Sequence, residues 1–63
     1  MTVPPKPTPE QIAVAIAHLR QDSALAHDSE NQELHRGRLS VARGFNNLAA
    51  ALEAVAKWLE EMK

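Results

Sequence analysis

The sequence predicts an all-α fold: a helical hairpin, with a short first helix and a long second one, that associates into a four-helix bundle. Three observations carry this expectation. A capping signature opens a helix at Thr8–Gln11, and apolar residues recur at helical spacing almost to the C-terminal end. The third is size: 63 residues with no cysteine. A chain this short buries only about 60% of the surface its unfolded form exposes. Small domains compensate with disulfides, a metal or self-association. Without cysteine, disulfides and thiolate zinc sites are excluded, and association remains.

Residues 1–8 (MTVPPKPT) hold three of the four prolines and are expected to form a flexible, extended arm ahead of a helical hairpin domain at 9–63. The first helix then starts sharply. Thr8 can cap it, Pro9 suits the first helical position, Glu10 complements the helix dipole, and Gln11 completes a capping box. Ile12, Ile16, Leu19, Ser23 and Ala26 follow at 4-3-4-3 spacing, one face of a helix. Ala13, Ala15 and Ala17 widen that face, so neighbours are expected on more than one side.

Two places could end this helix. His27-Asp28-Ser29-Glu30-Asn31 groups weak helix formers, and Ser29-x-x-Gln32 reads as a second capping box. The first register would also have to run on through Glu30 and Glu33, which argues for a break near Asp28-Ser29. The rival is Gly37, between Arg36 and Arg38, as a left-handed residue closing the helix. The break near Asp28-Ser29 is preferred.

The second helix has the most regular pattern. Val41, Phe45, Leu48, Leu52, Val55, Leu59 and Met62 run 4-3-4-3-4-3 without a miss. In heptad terms Phe45, Leu52 and Leu59 are a, and Val41, Leu48, Val55 and Met62 are d. Ala42, Ala49 and Ala56 fall at e, while Gly37, Gly44, Ala51 and Trp58 fall at g. Small flanking residues let other helices approach closely, which favours a bundle over a lone two-stranded zipper. With the preferred break, helix 1 (about Pro9–His27) is ~28 Å long and helix 2 (about Ser29–Met62) ~50 Å. The turns beyond Leu48 would then lack cover within the chain, and an exposed apolar stripe of that extent marks an interaction surface. Phe45, Leu48, Leu52, Val55, Trp58, Leu59 and Met62 are therefore the expected interface, with Gly44, Ala49 and Ala56 permitting close approach.

Composition narrows the function. Seven Lys and Arg stand against eight Asp and Glu, and no acidic tail or strongly basic segment occurs. No apolar run approaches the roughly 20 residues of a membrane helix. No secretory leader or lipidation signal is read, so a cytoplasmic protein without a membrane partner is expected. With no Cys or Tyr, no glycine loop and no paired-carboxylate spacing, catalysis is not expected, nor is a small-molecule substrate or cofactor. His18, His27 and His35 lie nine and eight apart, which puts no two metal ligands on one face.

The expected function is therefore protein–protein interaction or assembly, as an adaptor, chaperone-like cap or inhibitor. The expected partner is a second copy of the chain, another protein, or both. The alternative is a small nucleic-acid-binding regulator. Arg36, Arg43 and Lys57 share position f with Arg38 nearby, a basic ridge that could grip phosphates. No aromatic residue interleaves with them for base stacking, and Glu53–Lys57 is a favourable i,i+4 pair on a solvated back face. In length and helix count, a dimerising hairpin of this kind is similar in outline to the Rop family of small plasmid RNA-binding regulators, which implies a four-helix bundle and brings no functional residue with it.

Overall fold

Two antiparallel helices make up the fold of this computed structural model, which describes residues 4–62. Helix α1 spans Pro9–His35 and α2 spans Leu39–Glu61, and no strand occurs among the described residues. Residues 1–3 of the expected arm lie outside the described residues, as does Lys63; Pro4–Thr8 is exposed and non-helical.

The start of α1 follows its sequence signature. The Gln11 amide donates to the Thr8 hydroxyl at 3.1 Å, and the Thr8 amide donates to Gln11 Oε1 at 2.9 Å. Two otherwise orphaned donors are thus satisfied reciprocally.

The end of α1 differs from the expected break. Helix runs unbroken through Asp28 and Ser29 to His35, so no capping box forms at Ser29-x-x-Gln32 and the helices have 27 and 23 residues. The physical reason lies in the seam. The series Ile12, Ile16, Leu19, Ser23, Ala26 continues through Glu30 and Glu33, whose carboxylates find partners instead of breaking the helix. Glu30 accepts from Asn46 Nδ2 of α2 at 3.1 Å and lies 3.1 Å from His27 Nδ1. Glu33, buried at 8% exposure, accepts from Arg36 Nη1 at 3.1 Å. Its second oxygen has no hydrogen bond but faces Arg38 Nε at 3.6 Å.

Gly37 supplies the break. Its φ of +75° is the left-handed conformation that lets the chain reverse. The Arg38 amide then donates to the Glu33 carbonyl (2.9 Å) and the Gly37 amide to Leu34 (3.1 Å), a Schellman closure. An apolar contact usually joins the two residues bracketing such a turn. Here Glu33 and Arg38 occupy those positions and make an ionic contact instead. A Cβ at Gly37 would meet nothing within 4 Å, so any cost of Gly37→Ala is one of backbone strain alone. That variant should lose about 1–2 kcal/mol. In urea the midpoint should fall with an unchanged slope; an unmoved midpoint would mean that the turn relaxes without cost.

Packing between the helices uses small residues. Ala42, Ala49 and Ala56, every seventh residue of α2, are buried, the last two completely. At the open end Ile12, Ile16 and Ala56 pack together, flanked by Leu19 and Leu59. At mid-length the buried Ser23 hydroxyl donates across the seam to the Ala49 carbonyl at 3.3 Å. Toward the turn the seam becomes ionic, through Glu30 and Glu33. The hairpin measures 47 × 25 × 14 Å, so it is little more than one helix thick. No large side chain is fully buried among the described residues.

Candidate interaction surface

Helical geometry sorts the apolar residues of α2 into adjacent rows about its axis. The e row (Ala42, Ala49, Ala56) faces α1. The a row (Phe45, Leu52, Leu59) borders it and is half-buried. The d row then points past α1: Val41, Leu48, Val55 and Met62 are each 44–49% exposed. Beyond it, in the g row, Trp58 is 59% exposed.

The seven interface residues expected from sequence therefore divide. Phe45, Leu52 and Leu59 are shared between the hairpin seam and the open side, whereas Leu48, Val55, Trp58 and Met62 remain 44–59% exposed. The expected address of the missing cover also changes. The turns after Leu48 do meet α1, through Ala49, Ala56 and Leu59, because α1 is longer than the preferred break allowed. Cover is missing along one flank of the whole hairpin instead of at one end of α2.

Helix α1 contributes to this flank. Leu25 joins Phe45, Leu48 and Leu52 in a groove completed by Asp22, Ala26 and Ser29. Asp22 is the only ionisable residue lining it. Val14, three turns before Leu25, lies on the same face of α1, and both are more than half exposed. Sequence reasoning missed these two because they fall outside the 4-3 series of α1. Their eleven-residue separation, three helical turns, was the available signal.

The opposite flank carries the polar contacts between the helices, together with two exposed leucines near the turn, Leu34 and Leu39. Arg20 pairs with Glu60 across the helices at 2.7 Å, and Asn46 reaches Glu30. The hydrogen bond that Arg20 donates to Glu60, reinforced by the carboxylate's charge, raises the Arg20 pKa. Both partners of this pair are substantially exposed, so it orients the helices more than it stabilises them. A second hollow lies on this flank near the turn, with Glu30, Arg43 and Asn46 among its walls.

Comparison with protein-family models, curated proteins and solved structures returns no match.

The structure spreads the basic residues over the turn and α2. Arg36 and Arg38 flank Gly37 in the turn, where both face Glu33. Arg43 and Lys57 are exposed on α2, about 21 Å apart along its axis. No group of three or more His, Asp or Glu residues arranged to hold a metal occurs among the described residues, and no described helix is long and apolar enough to cross a membrane.

Proposed function

We propose that this chain is a small protein–protein interaction and assembly module whose working surface is the apolar flank of its hairpin. One observation carries the reading: a structure little more than one helix thick, with no large side chain fully buried among the described residues, leaves Leu25, Leu48, Val55, Trp58 and Met62 about half exposed on the same flank. Single exposed apolar residues are ordinary, but a contiguous, polar-rimmed set marks a surface that another protein covers. Helices presented edge to edge suit a helical partner, and the product would be a four-helix bundle. Such a module works as an adaptor, a chaperone-like cap or an inhibitor, by occupying or offering a helix face.

Trp58 reports on the surface directly. In the associated protein its fluorescence should be blue-shifted and protected from iodide. Leu48→Asp places a charge in the covered flank and should return Trp58 to water-like emission and free quenching. Equal quenching in both proteins at every concentration would count against the covered flank. A fluorescent apolar dye added to the chain at its lowest concentration supplies a second readout, since an uncovered flank should bind it and Leu48→Asp should bind less.

A further inference from the structure

Resting on that reading, we infer that the occupant of the apolar flank is a second copy of the chain, with α2 packed antiparallel on the partner's α2 about a two-fold axis near Ala49–Ala50. A compact protein of this mass exposes about 4,000 Å², whereas this chain exposes 5086 Å². The exposed Pro4–Thr8 stretch accounts for part of the excess. The flank itself, about 35 Å long and two helices wide, offers roughly 700 Å² in projection. A standard interface takes about 800 Å² from each partner. The available face is therefore the size of one side of a stable dimer.

The d and g rows together place residues 41, 44, 48, 51, 55, 58 and 62 at 3-4-3-4-3-4 spacing, a second seam on the same helix. It lies about 100° around the axis from the seam facing α1, the near-right angle a four-helix arrangement requires. Running this seam antiparallel to itself, with the two copies overlapping along Leu39–Glu60, sets Leu48 opposite the partner's Ala51. The same register sets Val55 opposite the partner's Gly44 and Trp58 opposite the partner's Val41. Large residues thus meet small ones in the two central layers, the condition for interdigitation. Gly44 supports this placement: a Cβ there would meet nothing within 4 Å in the single chain, so intrachain packing does not require glycine. Mid-helix glycine is nonetheless unfavourable relative to alanine, and a close approach from outside the chain supplies a reason for it.

The groove's one ionisable lining residue is Asp22, while the cross-helix ion pair lies on the other flank. The α2 seam itself, residues 41, 44, 48, 51, 55, 58 and 62, carries no charged side chain, so no like charges meet along it.

The test exchanges the two residues of one layer. Leu48→Ala leaves a void opposite the partner's Ala51, and Ala51→Leu crowds the partner's Leu48. Each should weaken dimerisation at least about tenfold by sedimentation equilibrium. The exchanged variant L48A/A51L has the same composition as the parent and restores one large and one small residue to each layer. It should recover to within about threefold of the parental affinity, with circular dichroism confirming that all four proteins are helical. An exchanged variant no better than the weaker single variant would overturn the register, while association through the flank still stood. A parent chain that stays monomeric and helical but binds apolar dye would overturn self-pairing and leave the proposed surface intact. A helical monomer that binds no dye would overturn both.

Discussion

Leu52→Asp should abolish both association and most of the helicity, the largest effect expected of any single substitution in α2. Leu52 belongs to the a row, half-buried between the alanines that face α1 and the exposed d row. It also lines the groove with Leu25, Phe45 and Leu48. A carboxylate there must either stay charged in an apolar setting or take up a proton, and both courses cost several kcal/mol. A single core of this size supplies no more than about 3–5 kcal/mol. One charge therefore removes a margin of the same order as the whole. Far-UV circular dichroism should show a largely coil-like chain, and sedimentation a monomer. Retained helicity with a retained dimer would mean that the a row is not shared between the two seams.

The contrast between these rows shows what the sequence made legible. Thr8, Pro9 and Gln11 announced the start of α1 because a capping box is local chemistry, complete within four residues. The 4-3 series of α2 announced a helix and an apolar face, but not which part of that face turns inward. Three rows wide, the stripe fits a partner on either side. The choice was made by Ala42, Ala49 and Ala56, whose small size permits the closest approach to α1 and leaves the larger d row outside. The helix break misled for a related reason. Glu30 and Glu33 looked like the end of a register because carboxylates at seam positions are costly when unpaired. Arg36 is a local i,i+3 partner of Glu33, but Asn46, 16 residues from Glu30, and Arg38, beyond the turn, are brought to them by the fold. The Schellman glycine, in contrast, was readable locally as Gly37 and carried the correct boundary. The interaction surface was legible in its residues on α2 and illegible on α1, where Val14 and Leu25 gain meaning only beside the exposed d row.

Ala49→Leu should destabilise the hairpin to a degree comparable with its total stability, although it adds apolar surface. Ala49 is completely buried at the middle of the α1–α2 seam, where the Ser23 hydroxyl donates to the Ala49 carbonyl at 3.3 Å. At such a crossing the helix separation is set by the smallest side chains, because backbone approaches backbone. Three added heavy atoms have no void to enter. The helices must separate, and the Ser23 hydroxyl then loses its partner while still screened from water. Overpacking alone costs about 1–3 kcal/mol, and a buried hydroxyl without its hydrogen bond adds about 1–3 kcal/mol more. The separation would also loosen Ile16 and Ala56 along the seam, because both are held by the same interhelical distance. Ala50→Leu is the matched control: the same substitution one residue later, at an exposed position of the same helix, should stay within about 0.5 kcal/mol of the parent. Urea denaturation of both variants at one fixed protein concentration makes the comparison, since association shifts every apparent midpoint by mass action. Equal midpoints for the two variants would show that the alanine row does not set the helix spacing, and with it would go the reason for the d row being left exposed.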